Sequence, residues 1–120
     1  MRRFSKTDKV SDLLRHAISN ALLFELQVEK LKWISITDVR VNRDVKIADV
    51  YYTAIESQVT KEEAAALISR HLPELKRYLA RNLRLRQLPE LRFKIDDVEE
   101  KAQEIDKLLL EISKGVKNDG

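Results

Sequence analysis

The chain has 120 residues, a net formal charge of +3 and no cysteine. That excludes a disulfide framework, a thiolate nucleophile and a sulfur metal site, and it suits a cytoplasmic protein. No apolar run approaches the ~20 residues of a membrane span and no charged-then-apolar leader opens the chain, so one soluble domain is expected, with no membrane segment.

In chain order, the first helix is expected to start at Ser5 or Thr7 and to run to about Gln27. Its apolar stripe is Val10, Leu13, Leu14, Ala17, Ile18, Ala21 and Phe24. Trp33 to Val41 reads as a strand whose inward phase changes from Ile34 and Ile36 to Val39 and Val41. A bulge near Thr37-Asp38 absorbs that slip. Asn42-Arg43-Asp44 is a turn, and Lys46 to Ala54 is a second strand with Ala48, Val50 and Tyr52 on one side. Lys61 to His71 is helical, with Glu62 and Glu63 in the favourable first turn. Pro73 then breaks or kinks the helix, and a second helical stretch runs from about Pro73 to Leu85. Leu91, Phe93 and Ile95 alternate with Arg92 and Lys94 in a third strand. Asp97 with Glu100 resembles a capping box for a last helix to about Ser113, followed by a frayed tail. The order α-β-β-α-α-β-α makes an α+β domain of residues 1–96. Residues 97–120 form a C-terminal helix packed back on it through a seam of Val98, Ala102, Ile105, Leu109 and Ile112.

The charge is polar in its distribution. Residues 70–86 hold Arg70, Lys76, Arg77, Arg81, Arg84 and Arg86 against Glu74 alone, and residues 1–10 hold Arg2, Arg3, Lys6 and Lys9 against Asp8. Residues 96–111 run the other way, with seven acidic residues against Lys101 and Lys107. On the helix ending near Leu85, Arg77, Arg81 and Arg84 share a narrow arc opposite Leu75, Leu79 and Leu83. Guanidinium forks suit phosphate, so this face points to an anionic partner and, first among these, RNA. A solvated helix face is the competing reading. Arg40, Arg43 and Lys46 around the hairpin are either phosphate contacts or solubilising turn residues. Trp33, between apolar neighbours, is assigned to the core, and of Tyr51 and Tyr52 at most one is free to stack on a base.

Nothing points to catalysis. His16 and His71 each lack a second ligand at metal spacing, the two glycines (Gly115 and Gly120) form no phosphate-cradling loop, and no serine sits in a glycine elbow. The acidic run from Asp96 to Glu100 is explained by helix capping. No enzyme activity, metal or cofactor is expected.

The segments Asp38-Val39-Arg40-Val41-Asn42-Arg43-Asp44 and Ala48-Asp49-Val50-Tyr51-Tyr52-Thr53, with Leu83-Arg84-Leu85-Arg86 and Leu88-Pro89-Glu90-Leu91, closely resemble the ribosome-binding factor A family. The likeness covers nearly the whole chain. It implies a type II KH-like domain that binds the small (30S) ribosomal subunit late in assembly, assists maturation of the 5′ end of 16S ribosomal RNA, and is associated with growth in the cold. It also implies release by a ribosome-dependent GTPase and no catalysis of its own. KH domains clamp RNA with a Gly-x-x-Gly loop, which this chain lacks. The family carries an Ala-x-Gly kink instead, and His71-Leu72-Pro73 stands at that place. The basic residues named above, with Arg40 and Arg43, would meet ribosomal phosphates by shape and backbone, in a protein with no need to be more than a monomer. Two other readings stay open: a generic single-strand RNA module, and a protein-interaction adaptor using the seam of the last helix.

Overall fold

The computed structural model describes residues 5–97, 105, 106 and 108–112. Helix α1 (Lys6–Asn20) starts at Ser5, whose hydroxyl accepts the Asp8 amide while the Asp8 carboxylate accepts the Ser5 amide. This reciprocal pair satisfies two donors that a helical first turn leaves without partners. Val10, Leu14 and Ile18 recur every four residues and are buried. A π turn (Ala21–Glu25) then widens the helix and shifts its phase, so Ala21 and Leu22 are buried while Leu23 and Phe24 are exposed. Phe24 therefore leaves the expected stripe, and Leu13, at the stripe's flank, is also half exposed. Gln27, at φ 53°, ends the run in the left-handed region. A 3-10 turn (Glu29–Trp33) buries Leu31 and sets Trp33, half-buried, against the core.

Three strands follow: β1 (Ile34–Val41), β2 (Ile47–Ala54) and β3 (Glu90–Ile95), in the order β1-β2-β3. β1 and β2 are antiparallel, and their register shifts between Ile36 and Asp38. The expected bulge is there: Thr37 is the extra residue, and it lets Ile36 and Val39 both face inward. β3 lies parallel to β2, with Ala48 opposite Leu91 and Tyr52 opposite Ile95. Parallel neighbours need a long crossover, and helix α2 (Lys61–Asn82) provides it.

The α2 helix opens on a second capping box, Thr60 with Glu63, and buries Ala64, Ile68, Leu75 and Leu79. Two expectations are corrected here. The helix runs without a break through His71-Leu72-Pro73, so the two helical stretches read from the sequence are one element. Pro73 and Ser69 are both exposed, so water can take the Ser69 carbonyl that a proline four residues on leaves without a donor. Buried Ile68 and Leu75 hold the turns on either side. The helix also ends at Asn82, because Leu83 is extended (φ −101°, ψ 133°), which takes Arg84 off the helical arc. Asn20 Nδ2 donates to the Tyr78 hydroxyl at 2.9 Å and ties the end of α1 to α2.

The result is the expected α+β arrangement, with α1 and α2 on one face of a three-stranded sheet. The core between them includes Leu14, Ile18, Leu31, Val50 and Leu79, all fully buried. Residues 105, 106 and 108–112 are helical, but Ile105, Leu109 and Ile112 of the expected seam are each more than half exposed. Val98, Ala102, Glu100 and the tail from Ser113 lie outside the described residues.

Candidate nucleic-acid interface

At 3.6 residues per turn, Arg70, Arg77 and Arg81 fall within about 40° of one another on α2. They stand opposite buried Leu75 and Leu79, on the side turned away from the sheet. Arg70 thus takes the place on the arc that the sequence reading gave to Arg84. Lys76 is exposed roughly a third of a turn away. Glu74, the one acidic residue among them, sits 3.5 Å from His71 Nδ1.

Beyond Asn82 the chain alternates. Leu83, Leu85 and Leu88 pack against the core and Pro89 is buried, whereas Arg84 and Arg86 are exposed. Leu83 and Leu85 anchor alternate positions and leave Arg84 and Arg86 exposed, before the chain bends at Arg86-Gln87. The row on α2 therefore continues along the loop toward β3. Fully extended chain from Arg81 to Arg86 spans at most about 18 Å. Among the described residues, none of these six cations has a carboxylate partner.

The other expected residues divide. Arg40 is committed within the molecule: its guanidinium lies 3.0 Å from Asp38 and 5.3 Å from the centre of the Tyr51 ring. The Asp38 hydrogen bond and charge raise its pKa further above the ordinary range. Tyr51 occupies the open sheet face, whereas Tyr52 is buried, its hydroxyl pushed to a higher pKa by burial. Arg43 is exposed in the hairpin turn, and Lys6 and Lys9 are exposed on α1. Arg2 and Arg3 lie outside the described residues.

One grouping crosses three elements. Lys6 at the start of α1, Lys46 after the hairpin turn and Arg86 in the α2–β3 loop rim an open cleft of about 540 Å³, whose floor is Val10, Val45 and Leu85. Asp44 and Gln87 complete its wall. The turn is held firmly: Asn42 Oδ1 accepts the amides of Lys46 and Ile47 at 2.9 Å each, and the Lys46 carbonyl accepts the Glu90 amide at 2.8 Å. Val45 has φ 58°, a left-handed conformation that costs a residue with a Cβ about 1–2 kcal/mol. Lys46 was left undecided by the sequence, since nothing local separates a turn lysine from a cleft lysine; only the approach of α1 and the distant loop does so.

Among the described residues, no group of three or more His, Asp or Glu side chains could hold a metal, and no helix is long and apolar enough to cross a membrane.

Known proteins share this sequence pattern and fold. A family model described as ribosome-binding factor A matches residues 6–109, from α1 to the C-terminal helix. This chain belongs to the ribosome-binding factor A family. The ribosome-binding factor A of Geobacter metallireducens is 31% identical over 109 residues, covering 91% of this chain and 92% of the relative. The crystal structure of ribosome-binding factor A from Thermus thermophilus superposes with a TM-score of 0.65 at 26% identity, covering 76% of this chain and 97% of that one. A homology model of the Thermus thermophilus protein, fitted into a cryo-EM map of a 30S complex, matches with a TM-score of 0.59 at 28% identity, over 72% of this chain and 90% of that one. The fold is thus that of ribosome-binding factor A, a KH-like arrangement. Of the segments that carried the resemblance, residues 38–53 lie in the β1–β2 hairpin and Leu83-Arg84-Leu85-Arg86 is the arginine-bearing loop after α2.

Proposed function

We propose that this member of the ribosome-binding factor A family binds the free small ribosomal subunit in the cytoplasm and assists its late maturation, including processing of the 5′ end of 16S ribosomal RNA. The observation that carries the reading is the run of exposed cations without a carboxylate partner among the described residues: Arg70, Arg77 and Arg81 on one arc of α2, Lys76 a third of a turn away, then Arg84 and Arg86 in the loop. The Thermus relative placed in a 30S complex supports the choice of partner. A row of guanidinium groups without neighbouring aromatic platforms meets phosphates by position and reads the shape of a folded RNA. Binding one RNA conformation better than its alternatives stabilises that conformation, and so holds immature strands until they pair correctly. The protein acts as a monomer without catalysis, and a ribosome-dependent GTPase promotes its release.

Sedimentation of tagged protein through a sucrose gradient of cell lysate tests this. Co-migration with free small subunits and not with translating ribosomes is expected, and a profile confined to the top of the gradient refutes it. A second reading has its own observation: Ile105, Leu108, Leu109 and Ile112 form an exposed apolar stripe suited to a protein partner. An adaptor of that kind keeps its partner when Arg77 and Arg81 are neutralised, whereas small-subunit binding weakens by about 25-fold or more.

A further inference from the structure

Resting on the RNA-docking reading above, we propose that the cleft between α1, the hairpin turn and the α2–β3 loop receives a single unstacked nucleotide of single-stranded RNA. Its phosphodiester meets Lys6, Lys46 and Arg86, and its base lies on the aliphatic floor.

Size is the first argument. A cleft of about 540 Å³ falls within the range of small-molecule sites, and far exceeds what one phosphate would fill. Charge is the second. Three cations come from positions 6, 46 and 86, and among the described residues none is ion-paired. Like charges brought to one rim repel each other, and an anion between them removes that cost. Third, the floor of Val10, Val45 and Leu85 is apolar, as a base face requires and a phosphate does not. A duplex keeps its bases stacked inside and presents phosphates on a convex surface, so a concave, apolar-floored cleft suits a splayed nucleotide better. Asp44 at the wall favours a singly charged diester over a doubly charged terminal phosphate, and its oxygens can accept from a base amine or a 2′-hydroxyl.

Backbone geometry agrees. Lys46 is fixed from both sides, by Asn42 on its amide and Glu90 on its carbonyl. Val45 holds a left-handed conformation that glycine adopts more readily, and in doing so supplies part of the floor. Strain of this sort gathers where a surrounding structure fixes a binding surface.

The test uses the full chain, ¹⁵N-labelled, titrated with a single-stranded RNA tetranucleotide and, in parallel, with inorganic phosphate and a short RNA duplex. Amide shifts are expected at Val45, Lys46, Arg86 and Gln87 with the tetranucleotide, at lower concentration than with either other probe. The double variant Lys46→Gln/Arg86→Gln should weaken the tetranucleotide by about fivefold at 0.1 M salt, the loss of one single-strand phosphate contact. Lys32→Gln, at an exposed lysine outside both basic groups, should leave the cleft shifts in place. Equal half-saturation by inorganic phosphate, stronger binding of the duplex, shifts confined to α2, or no effect of the cleft variant would each overturn the proposal. Salt-dependent binding of the unaltered protein to purified small subunits separates the two readings. Its persistence with an unresponsive cleft overturns this inference alone, whereas its absence overturns the wider one.

Discussion

Neutralising Arg77 and Arg81 together addresses the α2 face most directly. Both side chains are exposed and, among the described residues, unpaired, so glutamine at these positions removes charge without stranding a described partner, and glutamine is nearly as good a helix former as arginine. If the six unpaired cations from Arg70 to Arg86 each meet a phosphate, log affinity should fall against log salt with a slope on the order of −4 to −5. Losing two contacts should reduce the steepness by about 1.4–1.8. Because each contact is worth about 0.7–0.9 log units at 0.1 M salt, affinity there should drop about 25- to 60-fold. Fluorescence anisotropy of labelled protein against purified small subunits, over about 50–300 mM potassium chloride, reads both quantities. An unchanged slope, or a loss below about threefold, would mean that these arginines touch solvent and not RNA.

Other outcomes concern the scaffold. Leu79→Ala empties a fully buried position between α2 and the sheet and should cost about 2–5 kcal/mol in urea unfolding. Gln27→Gly removes a left-handed penalty at an exposed helix end and should stabilise by about 0.5–1 kcal/mol, seen as a higher Tm. The Glu63 carboxyl is held below its ordinary pKa, first by the Lys30 ammonium donating at 2.8 Å and then by the Thr60 amide. A depressed folded pKa means that the ionised form favours the fold, so this contribution is present at neutral pH and fades as pH drops through the depressed value. Glu63→Gln should therefore be less stable than the parent at pH 7, with the gap closing below about pH 4 in parallel denaturant titrations.

Much of this architecture was legible in the residues. The change of inward phase between Ile36 and Val39 announced the Thr37 bulge, because a period of two cannot slip without an extra residue. The Ser5 cap and the three strands followed from local chemistry of the same kind. Of the break or kink that Pro73 suggested, the break does not occur, since a proline's effect on a helix depends on whether the freed carbonyl faces water and whether the flanking turns are anchored, and both are tertiary facts. Arg84 was assigned to a helical arc although Leu83-Arg84-Leu85-Arg86 carries a two-residue alternation that already argued for extended chain. Phe24 was lost to a π turn, which leaves no mark in hydrophobic spacing. The cleft was hidden for another reason: positions 6, 46 and 86 become neighbours only once the sheet forms.

The uninterrupted passage of α2 through Pro73 bears on how selective its docking is. Along a continuous α-helix the rise is fixed, so Arg70 and Arg77 stand about 10 Å apart along the axis and Arg77 and Arg81 about 6 Å. Two segments joined by a hinge would let those gaps adjust to almost any backbone. If the proposed docking holds, such spacing works as a gauge: cations at set intervals along one helix engage together only where the RNA phosphates stand at matching intervals.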